Sequence, residues 1–182
     1  YGAGGSTRDL THDLVVRLKK ETNLAVVAHL TTIGASRGEL HEILERYSEN
    51  GVENIMALRG DPPKGSPGFV QPKDGFKYAA DLVAYIKKHF PHMGGGVAGF
   101  PEGHPETPNR LEEMDYLKAK VDAGADYICT QLFFKNGDFY GGVNAGTDAI
   151  FLALNGKYDG TPRQPEVDGG RIGMVIFILI IA

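Results

Sequence analysis

Cysteine is almost missing from this chain. Cys129 stands alone among 182 residues. One cysteine excludes an intramolecular disulfide framework and the thiolate zinc patterns, and it fits a reducing, cytoplasmic setting. Long apolar runs are missing too. The longest, Ile172 to Ala182 with a break at Gly173, is far short of the ~20 residues that cross a bilayer. No membrane segment and no signal-peptide pattern is therefore expected. Nor is there a cluster of Lys and Arg. The net charge is -4 and the pI about 5.9, so a nucleic-acid partner is not expected. Several chemical signatures are also lacking. His89, His92 and His104 do not form a His-Glu-x-x-His spacing, and no metal site is expected. No Gly-x-Ser-x-Gly elbow, no Walker lysine loop and no Gly-x-Gly-x-x-Gly after a strand occurs.

What is present is a regular alternation. Four segments rich in Val, Ile, Leu, Ala and aromatics recur: Leu24–Thr31, Val52–Leu58, Gly96–Phe100 and Ala125–Phe134. Such runs suit strands buried on both faces of a parallel sheet. Amphipathic helical patterns lie between them. Leu10, Leu14 and Leu18 repeat at i, i+4, i+8. Leu40, Ile43, Leu44 and Tyr47 form a second stripe, Leu82, Val83, Tyr85 and Ile86 a third, and Leu111, Met114, Leu117 and Val121 a fourth. Each stripe is expected to cover the sheet.

Two helices are expected to end on a glycine, Gly51 and Gly124, which can take the left-handed cap conformation. The segments that follow, Gly51-Val52-Glu53-Asn54-Ile55 and Gly124-Ala125-Asp126-Tyr127-Ile128, read as one repeated joint between helix and strand. The alternation gives an α/β fold. Units of thirty to forty residues fit a (β/α)8 TIM-barrel type, which needs ~250 residues. A doubly wound sheet is the competing architecture, and its dinucleotide fingerprint is absent.

In a (β/α) barrel the chemistry gathers at the carboxyl ends of the strands. The four runs end at His29-Leu30-Thr31-Thr32, Arg59-Gly60-Asp61-Pro62-Pro63, Pro101-Glu102-Gly103-His104-Pro105-Glu106 and Thr130-Gln131. Polar and ionisable groups at the same end of four runs suggest one shared site. Each cluster also has a plain structural reading. His29 fits a satisfied core histidine, Arg59-Gly60-Asp61 a turn with a local ion pair, and Gln131 an internal hydrogen-bonding group. The opening Gly2-Ala3-Gly4-Gly5-Ser6-Thr7 fits an anion cradle, a weak signal on spacing alone.

The residues become specific in five stretches. Asn54 to Pro63, Val97 to Glu106 and Lys120 to Ile128 with Thr130 to Phe134 closely resemble signature segments of the methylenetetrahydrofolate reductase family. Tyr1 to Ser6 and Ala28 to Thr31 match two more, in the same order, and the resemblance covers about residues 1 to 135.

The resemblance implies a TIM barrel holding FAD at its carboxyl face. NADH or NADPH reduces the flavin, and methylenetetrahydrofolate then receives a hydride to give 5-methyltetrahydrofolate, a step of one-carbon metabolism that supplies methionine. Carried over by motif, His29, Arg59, Gly60, Asp61, Tyr78, Ala79, Phe100, His104, Pro105, Glu106, Glu113 and Lys120 would line the FAD site. Asp61 would sit near the flavin ring, tune its potential and bind the pterin. Gln131 would hydrogen-bond folate or nicotinamide. Asp61 and Gln131 would be the catalytic pair, and the full-length enzyme would be a homo-oligomer.

Three departures from the family pattern follow. Phe100 stands where Tyr is usual, Glu113 where Asp is usual. The chain opens at Tyr1 without methionine, and the barrel is expected to be incomplete. The first strand, with the glutamate that protonates the substrate nitrogen, is expected to be missing. From about Lys135 the chain is not aligned to the family pattern; residues 136–182 are expected to be an atypical tail, with low order from Asn136 to Gly170, and the run Met174–Ile181 is read as a makeshift strand or, in preference, as the product of a mis-spliced or mis-translated segment. The alternatives are a non-catalytic fragment that does not bind FAD by itself, and a different barrel enzyme using a phosphate-bearing cofactor.

Overall fold

The structure, a computed structural model, describes residues 8–62, 70–100, 103–104 and 106–130. The expected tail at 136–182, its makeshift strand and the Gly-rich opening lie outside the described residues. Eight elements alternate: α1 Arg8–Glu21, β1 Val27–Thr31, α2 Arg37–Glu49, β2 Asn54–Leu58, α3 Ala79–His89, β3 Gly94–Gly99, α4 Arg110–Asp122 and β4 Tyr127–Thr130. Chain contacts group these residues into two compact units. One runs up to Ala98 and takes in Tyr116–Ile128; the other holds Gly99–Asp115 and the chain from Cys129.

The four strands form one sheet in the order β1-β2-β3-β4. β1 pairs parallel with β2 from Val27↔Asn54 to Thr31↔Leu58, and β2 pairs parallel with β3 from Asn54↔Gly94 to Ala57↔Val97. Each strand lies beside its sequence neighbour, with no reversal of order. A doubly wound sheet needs such a reversal, whereas barrel units do not. The fold is α/β of the (β/α) TIM-barrel type, as the alternation predicts.

The two faces of the sheet differ because side chains alternate along a strand. Ala28, Leu30, Ile55, Ala57 and Val97 point into a core built with Leu40, Leu44 and Tyr47 of α2 and Leu82, Val83 and Ile86 of α3. The opposite face carries the register row His29, Met56, Gly96. There the Tyr127 ring lies where a Cβ on Gly96 would sit, with Cε2 only 2.2 Å from that position.

Local chemistry explains the helix ends. Ser36 opens α2 with a capping box: its Oγ accepts from Glu39 N–H at 3.2 Å, and the Glu39 carboxylate accepts from Ser36 N–H at 2.7 Å. This satisfies two orphan donors reciprocally. The glycine joints repeat as expected. Gly51 (φ 74°) and Gly124 (φ 103°) each follow a helix. Val52 N–H donates to Tyr47 O at 2.9 Å and Ala125 N–H to Lys120 O at 3.2 Å. The same six-to-one bond closes both helices. After the second joint, the Asp126 carboxylate takes Gly95 N–H at 2.6 Å and the Lys87 ammonium. Lys87, then Gly95 N–H, hold the Asp126 carboxyl below its ordinary range.

Two helical stripes turn out differently. Leu10, Leu14 and Leu18 of α1 are 71%, 54% and 39% exposed, while His12 and Val15 are buried. The His12 ring meets Tyr47 edge-on at 5.3 Å, and Asp13 pairs with Arg46. The face of α1 that packs against α2 is thus the one carrying His12 and Val15, and the leucines lie on the other face. On α4, Met114 and Leu117 are buried but Leu111 is exposed. Among the described residues no helix is long and apolar enough to cross a membrane.

Urea unfolding checks the corrected burial. Leu44→Ala should cost about 2–5 kcal/mol, as a full cavity would. Leu14→Gln should change stability by less than about 0.5 kcal/mol, as at an ordinary surface position.

Candidate functional site

In the first unit the carboxyl ends of β1 and β2 run on side by side beyond the strands. Thr32 N–H donates to Leu58 O at 3.0 Å and Ile33 N–H to Arg59 O at 2.9 Å. Thr32 Oγ1 also donates to Arg59 O at 3.2 Å. This ladder delivers Arg59-Gly60-Asp61 next to the end of β1. Gly60 has φ 80°, and a Cβ there would lie 2.7 Å from Ile33 Cγ2 and 3.0 Å from Thr31 Cβ. Glycine is therefore required on two counts, handedness and space.

Arg59 donates from Nε to Gly60 O at 3.2 Å and pairs with Asp61 at 3.7 Å. The Asp61 side chain is 79% exposed. The local ion pair of the plain reading is thus real, and such an exposed pair contributes only ~0–1 kcal/mol. A ligand can exchange with it at little cost.

His29 sits two residues before the end of β1 and is half-buried. Burial lowers its pKa below the ordinary 6.5. The ring is neutral at neutral pH, able to donate one hydrogen bond and accept one. Thr31 lies on the same face of the strand. Its buried Oγ1 has no hydrogen-bond partner among the described residues. Buried hydroxyls are normally satisfied, so this atom has hydrogen-bonding capacity to spare at the strand tip as far as the described residues go.

Tyr78 and Ala79 begin α3, whose first turn carries Asp81 bound to Tyr78 N–H at 2.9 Å. The Tyr78 ring stacks on Tyr116 at 5.8 Å, with the Lys77 ammonium 5.0 Å from its centroid. Lys120 on α4 donates to Ala98 O at 3.0 Å. An ammonium is thereby tethered near the carboxyl end of β3.

The second unit holds the remaining described residues. His104 Nδ1 accepts from Glu106 N–H at 3.2 Å, so the neutral ring carries its proton on Nε2. Phe100 meets this ring edge-on at 4.7 Å. Glu113 is buried, and its carboxylate accepts from Thr107 Oγ1 at 3.0 Å. Burial raises the Cys129 thiol above its ordinary value, which keeps it protonated and poorly nucleophilic. Pro105 and Gln131 lie outside the described residues. Among the described residues no group of three His, Cys, Asp or Glu side chains is placed to hold a metal.

His29, Arg59, Gly60, Asp61, Tyr78, Ala79 and Lys120 therefore belong to one unit, and Phe100, His104, Glu106 and Glu113 to the other. Sequence reasoning passed over Thr31 as a site residue, although its place at the end of an apolar run was visible. It also passed over Gln71, whose side chain bridges the loops after β1 and β2. A lone amide in a Pro/Gly-rich loop gives no periodic signal.

Comparison with known proteins is specific. The methylenetetrahydrofolate reductase family model matches residues 1–151. The chain is 42% identical over 154 residues to methylenetetrahydrofolate reductase (NADH) 1 of Arabidopsis thaliana, covering 79% of this chain and 26% of that protein. It is 42% identical over 139 residues to methylenetetrahydrofolate reductase 2 of Saccharomyces cerevisiae, covering 75% and 23%. Against 5,10-methylenetetrahydrofolate reductase of Salmonella typhimurium it is 43% identical over 134 residues, covering 74% and 43%. The chain thus spans about a quarter of the plant and yeast relatives and under half of the bacterial one.

The lowered pKa of His29 fixes the sign of a pH effect. Below pH 6.5 the unfolded chain takes up a proton that folded His29 resists, so this group's contribution to stability is lost as pH falls through that window. Urea unfolding should show stability rising with pH there and a flatter profile in His29→Asn. An NMR titration placing the His29 pKa above 6.5 would contradict this.

Proposed function

Because the chain belongs to the methylenetetrahydrofolate reductase family, we propose that it carries the FAD-binding part of an enzyme that reduces 5,10-methylenetetrahydrofolate to 5-methyltetrahydrofolate, with NADH or NADPH as donor. The proposed catalytic domain is residues 1–135 by its motifs, and the family match supports carrying it on to 151, with the remainder as a separate tail. The observation that carries the reading is the cluster at the ends of β1 and β2: a Thr31 hydroxyl with no partner among the described residues, beside Arg59, Gly60 and an exposed Asp61.

These residues fit a flavin dinucleotide in kind. Arg59 brings a permanent charge and a planar fork suited to phosphate or ribityl oxygens. Lys120 brings a second cation of the point-charge type. His29, held neutral by burial, exchanges hydrogen bonds without adding charge. Tyr78 offers an aromatic face at the start of α3. When bound, FAD supplies the two-electron relay between nicotinamide and folate.

Asp61 is proposed to accept hydrogen bonds from the pterin and to place a negative charge beside the flavin. Gln131 is proposed to bind folate or nicotinamide. Phe100, His104, Pro105, Glu106 and Glu113 are assigned to FAD by their motifs alone. His104, with its proton on Nε2, would act there as a donor. The hydrogen bond lost where Phe100 replaces a tyrosine is expected to weaken FAD binding modestly, by the ~1 kcal/mol of one neutral hydrogen bond. A cytoplasmic homo-oligomer completes the proposal.

Absorbance spectroscopy tests it. Purified protein should be yellow and bleach with NADH or NADPH. Colourless protein would favour a fragment that does not hold FAD by itself. Asp61→Asn should slow folate turnover about ten-fold or more, a loss of ~1.4 kcal/mol in transition-state binding, with a smaller effect on reduction by NAD(P)H. Equal losses in the two half-reactions would remove Asp61 from the folate step.

A further inference from the structure

We propose that Gln71 is a positioning residue for the FAD site, fastening the turn after β1 to the segment that leads into α3. The inference rests on the reading of this face as a flavin site.

Gln71 lies between β2 and α3 and is half-buried. Its carboxamide bonds in three directions. Oε1 accepts from Gly34 N–H at 3.0 Å. Nε2 donates to Thr32 O at 2.6 Å and to Phe76 O at 3.2 Å. An amide has two N–H donors and one carbonyl, so both donors are in use and the carbonyl is engaged. Few side chains meet that demand. A carboxylate would face two carbonyl oxygens with no proton to offer, and Asn is one methylene shorter.

Gly75 gives an independent observation. A Cβ there would lie 2.7 Å from Ala35 O and 2.8 Å from Gln71 Nε2. The backbone of the β2–α3 segment therefore approaches the turn after β1 as closely as glycine allows, at the point where the carboxamide crosses.

The partners connect this fastening to the site. Thr32 follows Thr31, whose hydroxyl has no partner among the described residues, and its own hydroxyl holds Arg59 O. Phe76 precedes Tyr78 and Ala79 by two and three residues. The Gln71 side chain therefore links the turn after β1 to the segment leading into α3, and Thr32, through its hydroxyl, carries the link on to the carbonyl of Arg59. Ligand groups displaced by ~1 Å through such a link can cost up to ~100-fold.

The experiment uses the 182-residue chain. FAD dissociation constants of wild type, Gln71→Met, Gln71→Glu and Gly75→Ala are measured at about pH 8. Hydrogen exchange of the Gly34 amide is followed alongside, and urea midpoints report folding. Gln71→Met should weaken FAD roughly ten-fold or more and expose the Gly34 amide to exchange. Gln71→Glu should bind at least as weakly, since a carboxylate keeps the length of the side chain but brings no donor to the two carbonyl oxygens. Gly75→Ala should follow Gln71→Met, and it carries the comparison if the methionine variant does not fold. Gln71→Met that binds FAD like wild type, with Gly34 exchanging freely, overturns the positioning role and leaves the flavin reading standing. Gln71→Glu that binds FAD like wild type shows that the two donors are not needed and also overturns it. Wild type that takes up no FAD overturns both readings together.

Discussion

The backbone ladder that continues past the ends of β1 and β2 is the constraint on which the site depends. Thr32 and Ile33 keep donating to Leu58 and Arg59 after the strands have ended. Two loops that would otherwise diverge are held a single strand spacing apart, about 4.8 Å. Side chains at the seam then have little freedom. Gly60 must lack a side chain because Ile33 and Thr31 occupy the space. Arg59 and Asp61, one residue on either side, project from a backbone that cannot retreat. The site is rigid where it is built and loose where it is exposed, as in the weakly paired Arg59 and Asp61.

The two ends of the sheet do different work. Near the amino ends, charges are consumed in holding elements together. Lys19 reaches Glu53 just before β2 at 3.6 Å, and Lys87 reaches Asp126 just before β4. Asp126 also takes a backbone N–H of β3, which makes it a strand-edge fastener. At the carboxyl ends the groups are under-used: a hydroxyl without a partner among the described residues, a neutral histidine, an exposed carboxylate. This asymmetry is what barrel enzymes show, with stability at one face and chemistry at the other.

Much of this was legible in the residues. The strand runs, the glycine joints at Gly51 and Gly124, and the gathering of polar groups at strand ends all follow from local rules. These are burial on both faces, left-handed caps and connection geometry. The leucines of α1 misled because periodicity reports a face and not its partner. His12 and Val15 face α2, where the His12 ring meets Tyr47 and Asp13 pairs with Arg46. The position of Thr31 was visible but the state of its hydroxyl was not, and Gln71 gave no signal at all. Their meaning lies in partners, or the lack of one, many residues away, and no window along the chain contains both halves of such a statement. Glu113 shows the limit from the other side. Its motif assigns it to a cofactor, while its nearest described partner is Thr107.

The ring of Tyr127 resting on Gly96 has a consequence for how this chain can drift over evolutionary time. With Cε2 2.2 Å from where a methyl would be, neither position is free to vary by itself. A side chain at 96 demands a smaller partner at 127, and a smaller residue at 127 opens a hole that something at 96 must fill. The two sites, on neighbouring strands and thirty-one residues apart, should therefore change in concert among relatives, as a matched volume shared by β3 and β4.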